Sequence, residues 1–307
     1  MARGVYGRCA FGWYNDGTTL TRGSALPAPD RMLTHLRQAV ALVRATPGRR
    51  GHTVTLENCT DVLVAGDLHG HVPHFQVMLK CADLANHPTR HFVLQEVIHG
   101  KNRYPNGGDK SHQLVDLFAA LKCQYPRQVH MLPGNHELAQ WTDRPVIKAD
   151  QNQNALFREG VHEAYGSVYG PQVYATYLEL FQALPAVVRA PNGVLICHSL
   201  PSTRMMQLFD PARLEREQYE PADLEPGGSV HSLLWGRDTA AGTAADFLRT
   251  MGAALLISGH IASDTGYLIP NPQQVILDCS DSPAAYILFP ADRPLDHAGL
   301  VDCLQTF

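Results

Sequence analysis

Seven side chains in this sequence stand directly behind apolar runs: Asp67, His69, Glu96, Asn135, His136, His198 and His260. DVLVAGD runs into GDLHG (66–70), FVLQEV stops at Glu96, HMLPGN runs into GNHE (134–137), and VLICH and ALLISGH end at His198 and His260. Carboxylates, imidazoles and an amide oxygen are donors for hard or borderline divalent cations such as Mn, Fe, Zn or Mg. The absence of cysteine from the set argues against a structural zinc site. Each piece has a simpler reading when taken singly. GDxHG can be a strand followed by a tight turn, and a single histidine after a strand can be a hydrogen-bonded core residue. The set together is different, because burying so many ionisable groups without a cation would be costly. With glycine beside Asp67, Asn135 and His260, the pattern reads as a centre for two metals.

The elements that must hold these groups follow from hydrophobic periodicity. RMLTHLRQAVALVRA, HFQVMLKCADLA, SHQLVDLFAALKCQY and YATYLELFQAL have helical spacing, and TVTLE, DVLVAGD, HFVLQEVI and QVHMLPGN read as strands. Strands alternating with helices of this length imply βαβ units, which deliver functional groups to the carboxyl ends of a mostly parallel sheet. After YATYLELFQAL come PAVVRA, GVLICH, ALLISGH, QVILDCS and AAYILF, with one long loop over 199–230. This second set predicts another sheet packed on the first. No repeat or linker divides the chain, so the expected organisation is an N-terminal extension with a helix (1–50) and a single catalytic domain (51–307).

Composition narrows the function classes. The 307 residues are 45% hydrophobic and 18% charged, with a formal charge of −4. Lys and Arg are scattered, which disfavours a nucleic-acid partner. The seven cysteines are widely spaced without a CxxC pair, a pattern of free thiols in a reducing compartment. No apolar leader or bilayer-length run is present, so the expectation is a cytoplasmic protein with no membrane partner.

The ordered motifs resemble the metallo-dependent phosphoesterases, and within them the calcineurin-like phosphoprotein phosphatase superfamily of serine/threonine phosphatases. GDLHG is similar to the family's first motif and GNHE to its third; HSLPS, LLWGRD and SGHI resemble later ones. The likeness covers about residues 60–290. It implies an α/β fold, a two-sheet β-sandwich flanked by helices in four layers. It further implies that Asp67 and His69 hold one divalent ion and Asn135, His198 and His260 a second, manganese foremost. Glu96 falls at the bridging position, and His136 at that of the proton donor to the leaving alkoxide. The substrate implied is a phosphorylated protein or a small phosphoester such as a dinucleoside polyphosphate. A degenerate phosphoprotein-binding module is the non-enzymatic alternative.

The second motif departs from the family's GDxxDRG. FVLQEVIHGK places Gln95 at the glycine, Glu96 at the first aspartate, His99 at the second and Gly100 at the phosphate-gripping arginine. His99 thus enters the catalytic set by position, although an imidazole cannot supply an aspartate's negative charge. The following KNRYPNGGDKSH is longer than the family's connection. The expectation is that Asp109 orients His136 and that Arg103 or Lys110 holds phosphate. Arg237, after LLWG, and Arg204, in the loop after His198, are further phosphate-binding candidates.

Overall fold

The computed structural model describes residues 28–307; residues 1–27 of the expected N-terminal extension lie outside the described residues. Helix α1 (Pro29–Arg44) starts with proline in its first turn and ends on a basic residue, as the helix dipole favours. Its stripe Met32, Leu33, Leu36, Ala39, Val40 and Val43 is buried. The chain continues through β1 (Arg49–Arg50), β2 (Thr53–Thr55), β3 (Asp61–Asp67), α2 (Val72–Ala82), β4 (Arg90–Gln95), α3 (His112–Gln124) and β5 (Val129–Leu132). A short helix α4 (Asn135–Trp141) leads to the hairpin β6 (Ile147–Lys148) and β7 (Gln151–Asn152), and then to the long α5 (Gln153–Ala183). Strands β8 (Val187–Arg189) and β9 (Val194–Cys197) precede the loop region, which carries 3-10 turns and a short α6 (Pro221–Leu224). Helices α7 (Ser229–Trp235) and α8 (Ala241–Met251) follow. The chain closes with β10 (Leu255–Ser258), β11 (Tyr267–Asn271), β12 (Gln274–Leu277), β13 (Ala285–Pro290), α9 (His297–Asp302) and β14 (Leu304–Thr306).

Two sheets result. One has the order β1-β2-β8-β9-β10-β12-β11, and the other β14-β13-β3-β4-β5. In β3, Val62 and Val64 face the apolar layer between the sheets, where Ile196, Ile257 and Val275 meet them. Leu63 and Ala65 point the opposite way, into a core shared with α1, α2, α3 and α5. This period of two is what a strand buried on both faces must show. The outer face of the other sheet, through Leu195 and Leu256, packs on Leu233, Leu234, Phe247 and Leu248 of α7 and α8. The layers are therefore helix, sheet, sheet, helix, as the sequence implied.

Helix α1 belongs to the same core as β3, β4 and α5, so residues 29–50 pack with the layers rather than apart from them. The helix expected over 174–184 begins twenty-one residues earlier, at Gln153. Gly160, Gly166, Gly170 and Pro171 interrupt its apolar period, and at Gly166 the backbone leaves the helix altogether. Among the described residues no helix is long and apolar enough to cross a membrane.

Candidate metal centre

Strands β3, β4 and β5 run parallel, as do β9 and β10, so their carboxyl ends lie on common edges. Asp67 closes β3, Glu96 follows β4, Asn135 opens α4 just after β5, His198 follows β9, and His260 stands two residues beyond β10. Four residues here hold left-handed backbone without being glycine: His69 (φ 40°), Glu96 (34°), His99 (60°) and His260 (71°). Strain of this kind persists where surrounding packing fixes it, typically at functional sites. The neighbouring glycines are steric necessities. A Cβ on Gly134 would lie 2.1 Å from Glu96 Oε1, and one on Gly259 would lie 2.1 Å from Asp67 Oδ1.

Glu96 is the hub. Its Oε1 accepts a hydrogen bond from the His136 backbone N–H at 2.8 Å. Its Oε2 faces His69 Nε2 at 3.3 Å and His198 Nε2 at 3.7 Å. His198 Nε2 also lies 3.3 Å from Asn135 Oδ1 and 3.0 Å from His260 Nδ1, while its Nδ1 is 3.5 Å from Asp67 Oδ1. The His260 backbone N–H donates to Asp67 Oδ2 at 2.7 Å, which fixes that carboxylate. Two donor groups emerge, His69 with Glu96 and His136, and Glu96 with His198 and His260; each has its ligand atoms within 4.8 Å of one another. Glu96 is common to both.

A divalent cation suits these residues. Asp67 Oδ1, His198 Nδ1 and His260 Nε2 are buried with no hydrogen-bond partner, an arrangement that costs free energy unless a ligand completes it. Burial pushes the Asp67 carboxyl up, and burial together with the Glu137 charge pushes Glu96 up to about 8. Burial holds His198 well below its ordinary range, and burial followed by the Arg237 charge holds His260 to about 3. A pocket that disfavours carboxylate charge and keeps imidazoles neutral is one whose lone pairs a cation would stabilise.

Beside the hub, His136 Nδ1 meets His99 Nδ1 at 2.7 Å, and His99 Nε2 meets Gln140 Oε1 at 2.7 Å. The Gln140 amide donates to Tyr174 Oη at 2.8 Å and to the Asn154 carbonyl at 3.3 Å. A carbonyl can only accept, so the amide oxygen must face His99, and His99 Nε2 carries the proton. His99 Nδ1 is then the acceptor and His136 Nδ1–H the donor, which leaves His136 Nε2 free to face the donor groups. Burial holds His99 to about 3 and His136 well below the ordinary value; neighbouring His69 and His99 add to the depression at His136. Glu137, to which the sequence reading gave no role, ties the site's two loops together. Its Oε1 accepts from the backbone N–H groups of Val97 (2.9 Å) and Ile98 (3.2 Å), and its Oε2 from that of Gly134 (2.8 Å).

The insertion after His99 differs from expectation. Asp109 does not reach His136. Its carboxylate is buried on the Ser111 N–H (2.8 Å) and Oγ (2.9 Å) and on Arg103 (3.0 Å), and Ser111 Oγ in turn accepts from the His99 N–H at 3.0 Å. Arg103 is spent inward too, on Gly100 O (2.6 Å) and Gln153 Oε1 (2.8 Å), so it is not a free phosphate ligand. Lys110 lies 4.9 Å above the Tyr104 ring, a cation–π contact rather than a place at the centre. Gly100 is explained by the chain path, since a Cβ there would come within 2.4 Å of His69 O. Arg204 and Arg237 are both exposed. Arg237 acts electrostatically on His198 and His260, whereas no bond in the described structure links Arg204 to the centre. One basic residue that the sequence reading passed over, Lys148, lies close enough for its charge to act on Glu96, His99 and His136. Its only sequence signal was a lysine between two turn-forming stretches.

Comparison with known proteins identifies the family and the fold. The profile of the calcineurin-like phosphoesterase family matches residues 60–264. A probable serine/threonine-protein phosphatase of Encephalitozoon cuniculi is 24% identical over 276 residues, covering 84% of this chain and 53% of that protein. Human serine/threonine-protein phosphatase 5 is 26% identical over 224 residues, 73% of this chain and 38% of that protein. The chain thus spans about half the length, or less, of these curated relatives. A Saccharomyces cerevisiae protein serine/threonine phosphatase, described as similar to human phosphatase PP5, superposes with a TM-score of 0.67 at 16% identity. That likeness covers 92% of this chain and 90% of the yeast chain, and shows a common fold. The ordered ligand motifs, the two-sheet sandwich and the match across two thirds of its length lead to one conclusion: the chain belongs to the calcineurin-like phosphoesterase family of metal-dependent hydrolases.

Proposed function

We propose that this protein hydrolyses phosphate monoesters, with phosphoserine and phosphothreonine on proteins as its substrates, using two divalent ions of which manganese is the first choice. The observation that carries the reading is Glu96, one carboxylate shared by two donor groups. Two cations held close together need such an anion between them. When bound, they supply a water of lowered pKa for in-line attack and positive charge against the phosphoryl oxygens. The chain's own residues do the rest. Asp67, His69, Asn135, His198 and His260 complete the donor set, and His136, once its ring has taken up a second proton on Nε2, gives that proton to the departing alkoxide. His99 accepts from His136 Nδ1–H and so keeps the first proton on Nδ1, which reserves Nε2 for the one that moves. Arg237, whose charge reaches His198 and His260, is the phosphate-binding arginine of this reading. The protein substrate is supported by the names of the curated relatives, which are serine/threonine-protein phosphatases.

The test is turnover of p-nitrophenyl phosphate by the full chain with added Mn²⁺. Metal-dependent release of p-nitrophenolate is the expected result, and its absence at every pH would leave only a phosphoprotein-binding role. Among active outcomes, a higher kcat/KM for a phosphothreonine peptide than for diadenosine tetraphosphate supports the protein substrate, and the reverse order replaces it with small phosphoesters.

A further inference from the structure

The backbone excludes an arginine at position 100, because a side chain there would run into His69 O. Arg103, the nearest replacement in sequence, is engaged inside the loop. Its partners show what it does instead. One guanidinium nitrogen donates to Gly100 O at 2.6 Å, and another donates to Gln153 Oε1 at 2.8 Å. The Gln153 amide nitrogen donates onward to Gln151 O at 3.1 Å and Lys148 O at 3.4 Å. The insertion is therefore wired to the β6–β7 hairpin.

That hairpin is short but firmly held. Lys148 pairs with Gln151 across it, and the two turn residues, Ala149 and Asp150, both adopt left-handed backbone (φ 46° and 59°). Two successive left-handed residues form the tight turn that matches strand twist. At the base, Gln153 N–H donates to Val146 O at 2.9 Å. Asn154 Nδ2 donates to Ala139 O (3.1 Å) and Arg144 O (2.9 Å), which pins the hairpin to the helix that opens with Asn135 and His136.

Lys148 is exposed on this hairpin. Its ammonium lies within electrostatic reach of the Glu96 and Asp67 carboxylates and of the Arg237 guanidinium. Among the described residues, neither its ammonium nor the Arg237 guanidinium has a hydrogen bond or an ion pair. Two unpaired cations within electrostatic reach of each other repel, and an anion with several acceptor oxygens held by both would reverse that. Divalent ions held by Glu96 and Asp67 would take up the negative charge that otherwise faces the lysine.

We propose that Lys148 is a phosphate-binding residue that takes the place of the arginine excluded at position 100, closing with Arg237 on the phosphoryl oxygens of a phosphate monoester. The inference rests on the phosphoesterase reading above and assigns the group that reading lacks. The test uses the Mn-loaded full chain. Lys148→Ala raises KM for p-nitrophenyl phosphate and the inhibition constant of inorganic phosphate together, by about tenfold or more, as loss of a charged hydrogen bond requires. The Mn²⁺ concentration for half-activation stays put, and Lys148→Arg keeps both constants within about threefold. Unchanged phosphate inhibition in Lys148→Ala overturns the proposal, and so does a shift confined to Mn²⁺ activation, which would make Lys148 a counterion of Glu96 and Asp67. Should the wild-type protein show no turnover, the phosphoesterase reading fails by itself. Calorimetry of inorganic phosphate on Mn-loaded protein then decides Lys148 alone, and equal affinity in wild type and Lys148→Ala overturns it.

Discussion

Replacing an aspartate by His99 changes what the neighbouring imidazole can be. A carboxylate would stabilise a protonated His136, whereas the Gln140-fixed neutral ring of His99 only accepts a hydrogen bond. The expected result of His99→Ala is a kcat lowered by about 10- to 100-fold for phenyl phosphate, whose leaving group needs a proton. The loss should be much smaller for 2,4-dinitrophenyl phosphate, whose leaving group does not; a leaving-group series measures the difference, and an equal loss across it would make His99 merely structural. Gly100→Arg is the complementary variant. It restores the family residue by sequence but places Cβ against His69 O. We expect a loss of roughly 1–3 kcal/mol in urea unfolding from overpacking, with weaker Mn²⁺ binding because His69 must move. The ligands themselves were legible in the sequence because each ends an apolar run. The partners of His99 were not, since Gln140 and Tyr174 come from α4 and α5 and carry no motif of their own. Asp109 was misassigned for a related reason: its charge was visible, but the Ser111 and Arg103 contacts that use it depend on how the insertion folds.

Elements position the centre through a few cross-ties. The strands read from period and composition lie near their expected places, whereas β1, β11 and β14 were not among them. The two-residue strands of the β6–β7 hairpin are too short to show a period, and the first half of α5 is masked by its glycines and proline. Glu137 shows how much rests on one side chain, because its single carboxylate joins Val97 and Ile98, in the turn after Glu96, to Gly134 at the start of α4. In Glu137→Gln the amide keeps an oxygen for Val97 and Ile98, but its NH₂ group then faces the Gly134 N–H, donor against donor. A destabilisation of roughly 1–3 kcal/mol is expected, together with reduced Mn-dependent turnover, measured by urea titration and steady-state kinetics. Unchanged stability would show that the loop ends are held by packing alone.

For the molecule as a whole, two linked equilibria are accessible to measurement. Burial holds His52 and His91 to about 4, and holds His130, whose Nε2 lies 2.9 Å from His91 Nδ1, well below its ordinary value. These rings stay neutral in the fold but gain protons when unfolded below their ordinary value near 6.5, so the unfolded state binds more protons there. Stability is therefore unaffected by them above about pH 6.5 and falls as pH drops towards 4, by roughly 3 kcal/mol for His91 alone. A flatter stability profile between pH 6.5 and 4 in a His91→Phe, His130→Phe double variant is the check. Metal acts in the opposite sense: Mn²⁺ at about a hundred times its dissociation constant should stabilise the fold by roughly 2.7 kcal/mol, seen as a higher Tm that a chelator reverses.

Helix α1 brings in the order of synthesis. It lies before the first residue of the family match, yet its buried stripe fills the same core as α5, and Arg49 just after it donates to Ala183 O at 2.7 Å across 134 residues. On the ribosome that stripe emerges first and waits for α5, on the order of ten seconds at the usual rate of about 5–20 residues per second. A stretch of nascent chain that must keep an apolar face exposed for so long is a natural place for a chaperone to hold. Synthesis of α5 thereby sets the earliest moment at which the segment outside the shared motifs can bury its stripe.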